Sequence, residues 1–96
     1  MATEKEQVQE FLSIVGTSLH QYVESIDFDA LSAAKKLILD AEAKGGRLHV
    51  TGIGKPGHVS GYAASLFSST GTPTYELHGT ECVHGSAGQT RPGDVV

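Results

Sequence analysis

Between residues 50 and 58 the chain reads Val-Thr-Gly-Ile-Gly-Lys-Pro-Gly-His, with glycines at the spacing Gly52-x-Gly54-x-x-Gly57. After a β-rich run and before a helical one, this is the spacing of a dinucleotide-binding turn. Gly52 and Gly54 let the backbone turn tightly, Gly57 lets a helix sit close to the strand, and free N–H groups at the helix start attract an anion. In that reading Glu76, near the end of the next strand, stands where a carboxylate would meet a ribose. Two residues inside the turn argue for different chemistry. Lys55 places a cation beside the reactive region, and Pro56 removes an amide that a pyrophosphate would use. A tight strand-to-helix turn with no ligand is the plainer alternative.

Histidines supply the second set of candidates. His58, His78 and His84 each follow the end of an expected strand or open the adjoining helix, the edge at which open parallel sheets bind ligands. Imidazole moves protons near neutral pH. With Glu81 and Cys82 the same residues have the right types for zinc, but Cys82-x-His84 is not a metal-ligand spacing, and no metal is expected. Glu81 gains interest because His84 lies one helical turn away; otherwise it is a solvated loop residue. Cys82 reads as a small buried thiol, His20 as solvated on the first helix, and His49 as a structural residue within a strand.

These residues need elements to hold them. From residue 4 to 26, Val8, Phe11, Leu12, Val15, Leu19, Tyr22, Val23 and Ile26 recur at steps of three and four, one face of an amphipathic helix. Gly16 costs that helix about 1 kcal/mol relative to alanine. A second helix, capped by Asp27 or Asp29, carries Phe28, Leu31, Ala34, Leu37, Ile38 and Ala41, and stops at Gly45-Gly46 with Lys44 near its end. The rhythm then changes. Arg47–Thr51 reads as a strand, 56–69 as a helix with Pro56 in its first turn, and "TYELH" as a second strand. The segment "GTECVHGSAGQTRPGD" is mostly loop with one helical turn, and "DVV" begins a third strand. Strand, helix, strand, loop, strand predicts an α/β layered fold, a parallel sheet flanked by helices and preceded by two helices. So few parallel strands leave an open apolar edge, which suggests the front part of a longer domain or a chain that depends on a partner.

Composition narrows the function classes. At 96 residues, with 39% hydrophobic and 19% charged residues, the chain is one globular domain at most. A net charge of −4 disfavours nucleic acid as a partner. No apolar run approaches the ~20 residues of a membrane span. The mixed, charged start and the single cysteine fit a cytoplasmic protein.

The segments "GRLHVTGIGKPGH", "SSTGTPTYELH", "ECVHG" and "RPGDVV" resemble, in order and spacing, the sugar isomerase (SIS) domain, most closely its arabinose-5-phosphate isomerase branch. The resemblance covers Gly46 to Val96 and implies a flavodoxin-like layered fold, with residues 1–45 as the helical lead-in and 46–96 as the first βαβ part, cut at the third strand. It implies that the glycine turn serves a sugar phosphate rather than a dinucleotide, and that no cofactor is used. Lys55 matches the lysine of the family's G-x-G-K-x-G-H motif. His84 matches the histidine of its H-G-D segment, which helps to open or deprotonate the sugar. Glu81 is implied as a third catalytic residue, with Gly54, Gly57, His58 and His78 lining the substrate. The implied reaction is aldose–ketose isomerisation, in which a proton moves between C1 and C2 through an enediol. The family assembles as dimers of dimers, so a homo-oligomer, dimer or tetramer, is expected. Two departures stand out: Pro56 where the family has serine, and Ser86 where it has aspartate after His-Gly. A serine/threonine-rich phosphate loop follows the "GDVV" segment in the family. A sugar-phosphate-binding module without turnover is therefore the alternative reading.

Overall fold

The computed structural model describes residues 1–96. The chain divides into two compact units, Met1–Ser32 and Ala33–Val96. The first contains helix α1 (Glu4–Glu24) and the opening turn of α2 (Phe28–Ala43). Thr3 starts α1 with a reciprocal capping box: its hydroxyl accepts from the Glu6 N–H, and the Glu6 carboxylate accepts from the Thr3 N–H at 2.8 Å. The helix ends at Glu24 rather than Ile26: the Ile26 N–H donates to the Val23 carbonyl, a tightened i→i−3 turn, and the Ser25 hydroxyl donates to the Tyr22 carbonyl. Asp27 is the cap of α2, its Oδ1 accepting from the Ala30 N–H at 3.0 Å. No residue of α1 is buried.

The second unit is built on strand β1 (Leu48–Gly52), helix α3 (Lys55–Ser69) and strand β2 (Thr74–His78). The strands pair in parallel, Leu48 with Thr74 through Gly52 with His78. Helix α3 packs on both, as a βαβ crossover requires. Both strands carry β-branched or aromatic residues and are bounded by glycine or threonine turns, so strand existence follows from composition; β1 begins and ends one residue later than its sequence pattern suggests. Of the third strand there is one parallel bridge, Leu48 to Val95, with the His49 N–H donating to the Val95 carbonyl and the Val95 N–H to that of Arg47. This places β1 in the middle, between β2 and Val95. The expected α/β architecture, a parallel sheet flanked by helices, is what the chain adopts.

Side chains alternate across the sheet. The buried apolar residues are Leu48 (8% exposed) and Ala64 of α3, on the helix side of the sheet, and Leu77 (5%), on the opposite face. Helix α3 meets the sheet with small residues: Gly57, Ser60, Gly61, Ala64 and Ser68, the last donating to the Thr74 carbonyl and accepting from its N–H. On the other side of β1 and β2, His49 and Tyr75 lie with ring centroids 5.8 Å apart, and the Arg47 guanidinium stands over the Tyr75 ring. Gln89, at the end of the 3₁₀ turn Ser86–Gln89, reaches His49.

Candidate functional site

The turn between β1 and α3 is shaped by backbone approaching backbone. A Cβ on Gly52 would lie 2.6 Å from the Pro56 carbonyl carbon and 2.8 Å from the Gly57 nitrogen, and a Cβ on Gly57 would lie 2.9 Å from the Gly52 oxygen. Gly54 takes φ +67°, a conformation open to glycine and strained for other residues. Glycine is therefore required at all three motif positions, two for close approach and one for its dihedral. The start of α3 is nevertheless poor in free donors. The Gly57 and His58 N–H groups both donate to the Gly54 carbonyl, and Pro56 has none, which leaves Lys55 as the helix-opening amide. A helix start with one free amide offers an anion less than an uninterrupted one, which weighs against a pyrophosphate at this point.

At the carboxyl ends of β1 and β2, against this turn, lies a crevice of about 490 Å³ lined by Gly52, Gly54, Gly57, His58, Glu76, His78 and Thr80. It is where ligands sit in open parallel sheets. The structure brings Gly54, Gly57, His58 and His78 together there. The His78 ring is held by the Glu81 N–H, which donates to Nδ1 at 3.2 Å and so leaves Nε2 as a donor toward ligand. Lys55, the first residue of α3, is exposed and outside the lining. Glu81 and His84 bound the exposed 3₁₀ turn Glu81–His84, which ends at Gly85 with φ +120°, and they too stand outside it. Cys82, in the same turn, is half-buried rather than the buried thiol its type suggests, because a four-residue turn has no enclosed face. No three His, Cys, Asp or Glu side chains converge as metal ligands would. A second, apolar groove of about 470 Å³, lined mainly by Ala34, Leu37, Ile38, Leu48, Val50 and Val59, carries no converging acid or base.

The sequence pattern gave no sign of a polar cluster at the opposite end of β1. Asp94 accepts from the Arg47 N–H at 2.9 Å, the Arg91 N–H at 2.9 Å, the Arg47 guanidinium at 3.2 Å and His49 Nε2 at 2.7 Å. The His49 side chain is 1% exposed and that of Asp94 5%. The bond from His49 is the largest influence holding the Asp94 carboxyl far below its usual range. Burial opposes it, and the Arg91 and Arg47 amides and the Arg47 guanidinium assist. On the other side of the ring, the Gln89 amide donates to His49 Nδ1 at 3.1 Å and to the Glu76 carbonyl at 3.2 Å. His49 is structural, as its strand position suggests. Its partner is 45 residues away, a distance no local pattern spans.

Comparison with known proteins bears on this arrangement. The chain is 39% identical, over 88 residues, to a Haemophilus influenzae protein named "Probable arabinose 5-phosphate isomerase", covering 92% of this chain and 25% of that protein. It is 45% identical, over 51 residues, to the arabinose 5-phosphate isomerase of Escherichia coli strain K12, covering 53% of this chain and 16% of that one. A Bacteroides fragilis crystal structure, assigned as a phosphosugar isomerase involved in capsule formation, superimposes with a TM-score of 0.80 at 28% identity over 92% of this chain and 46% of its own. The chain belongs to the sugar isomerase (SIS) family. No family model matches it, and it spans a quarter or less of the length of these curated relatives. Within the SIS frame, the crevice sits on the motif turn, and the Asp94 cluster lies at the other end of the same central strand.

Proposed function

We propose that this chain forms the front of a phosphosugar isomerase site, acting on a sugar phosphate such as arabinose 5-phosphate and yielding the ketose, ribulose 5-phosphate. The observation that carries the reading is the crevice at the carboxyl ends of the strands, built on the glycine turn and holding two imidazoles, in a chain related to arabinose 5-phosphate isomerases. Aldose–ketose isomerisation needs an acid/base pair to move a proton from C2 to C1, and a cation or donor for the charge that develops on oxygen. His84 and Glu81 are assigned the proton transfers and Lys55 the oxyanion. Gly54 and Gly57 shape the turn around the ligand, while His58 and His78 contact it. The protein's own groups suffice for this chemistry, so no cofactor is invoked. No helix is long and apolar enough to cross a membrane, and a cytoplasmic setting and a homo-oligomer complete the proposal.

A specific observation favours a second reading, sugar-phosphate binding without turnover: Lys55, Glu81 and His84 stand outside the crevice lining, and Pro56 and Ser86 depart from the family pattern. One experiment separates the two. The protein at its natural length is incubated with arabinose 5-phosphate, ketose formation is followed, and Lys55→Ala and His84→Ala are compared. Loss of roughly 10²–10⁴-fold in kcat for His84→Ala is expected of a general acid/base. Ligand-dependent thermal stabilisation with no ketose formed would establish binding only.

A further inference from the structure

Glu76 is an exposed carboxylate on β2. From this outer strand of the parallel pair it pairs with Val50, and its side chain lies on the α3 side of the sheet. Being exposed, it needs no protein partner. It takes part in none of the chain's ion pairs, which involve Glu24, Asp40 and Asp94. Space is what it has. A Cβ on Gly61 of α3 would lie 3.2 Å from Glu76 Oε2, so glycine at 61 is what lets the carboxylate lie along the helix. Beside it the crevice opens, with His58 and His78 on its walls. The backbone at Glu76 is pinned as well, since its carbonyl accepts from Gln89, which in turn is held to His49. An exposed carboxylate outside every ion pair, on the wall of a crevice that also holds two imidazoles and with its backbone fixed, is free to meet a ligand there.

An ionised carboxylate accepts hydrogen bonds and donates none. It repels phosphate, so whatever part of a ligand lies against it must present donors. We propose that Glu76 is a specificity-determining residue of the crevice, accepting hydrogen bonds from the hydroxyl groups of the sugar chain while the phosphate lies away from it. This rests on the sugar-phosphate reading given above.

The test uses Glu76→Ala and Glu76→Gln, with two readouts: the Kd for arabinose 5-phosphate from calorimetric titration, and the urea unfolding midpoint. Hydrogen bonds to a charged acceptor set the scale, so Glu76→Ala should weaken binding roughly 10- to 100-fold, with a smaller loss for Glu76→Gln, which keeps an acceptor oxygen. The unfolding midpoint should stay within error of wild type. Unchanged Kd in Glu76→Ala overturns the assignment, and so does a loss of affinity that follows a matching fall in the midpoint, which makes the residue structural. If the wild-type protein binds no arabinose 5-phosphate, the sugar-phosphate reading itself falls, an outcome distinct from binding that ignores Glu76.

Discussion

Asp94 shows how one residue can tie stability to pH. Its carboxylate accepts from two backbone amides, a guanidinium and an imidazole, and its pKa lies far below the ordinary value of 3.8, above all because of the bond from His49. A depressed folded-state pKa contributes stability that is fully present above the unfolded value and is lost as pH falls through the folded one. The window therefore opens near pH 3.8 and extends downward. Wild-type protein should lose thermal midpoint steadily below that pH, whereas Asp94→Asn should start lower at neutral pH and show a flatter acid limb. Parallel acid limbs for the two proteins would contradict the linkage. His49 gives a companion prediction. His49→Ala empties a fully buried site and strands both Asp94 and the Gln89 amide, so a loss of about 2–4 kcal/mol is expected from chemical denaturation. His49→Leu refills the volume but not the bonds and should recover only part of it.

At the level of elements, the glycines divide by what a methyl group would meet. At Gly52 it would meet the backbone of Pro56 and Gly57, which cannot give way without moving α3 from β1, so Gly52→Ala should cost about 1–3 kcal/mol, as overpacking does. At Gly54 a methyl meets nothing, but φ +67° with ψ −133° strains any L side chain, and a cost of about 1–3 kcal/mol is again expected, from the backbone alone. At Gly16 of α1 a methyl meets nothing and the dihedrals are helical, so Gly16→Ala should add helicity and about 0.5–1 kcal/mol. Circular dichroism during urea unfolding reads all three, and a destabilising Gly16→Ala would refute the sorting. The same contrast explains what sequence can reveal. The helices, the strands and the glycine turn were legible because periodicity of three and four, β-branched runs and glycine spacing are local signals. Helix and strand ends shifted by a residue or two because terminal contacts, such as the Ser25 hydroxyl on the Tyr22 carbonyl, are made without regard to the apolar pattern. The Asp94 cluster was not legible: Arg47, His49, Gln89 and Asp94 meet only through the chain's return beside β1. Glu76 was visible as a carboxylate near a strand end, yet its place against Gly61 follows from the packing of α3, not from spacing.

At the scale of the whole molecule, the distribution of apolar surface sets the question. The buried apolar residues are Leu48, Ala64 and Leu77, while Phe11, Leu12, Leu19 and Tyr22 along α1 are each more than half exposed. Burial of such side chains is worth roughly 1.5–3 kcal/mol apiece. A 21-residue helix with no buried residue also has little besides its capping box and its own hydrogen bonds to hold it, and isolated helices are marginal in water. An apolar stripe of this size is ordinarily covered, and a second copy of the same stripe is the simplest cover because two-fold contact is self-complementary. Association and helicity should then be linked. Sedimentation should show a mass above the 10.1 kDa monomer that falls on dilution, and the thermal midpoint should rise with protein concentration. Charging the stripe, as in Phe11→Lys with Leu19→Lys, should yield the monomer and at the same time reduce the helical signal, because α1 loses the contact that stabilises it. A monomer that keeps its full helical signal at every concentration would show that α1 holds its fold without a partner, and would remove the physical ground for self-association.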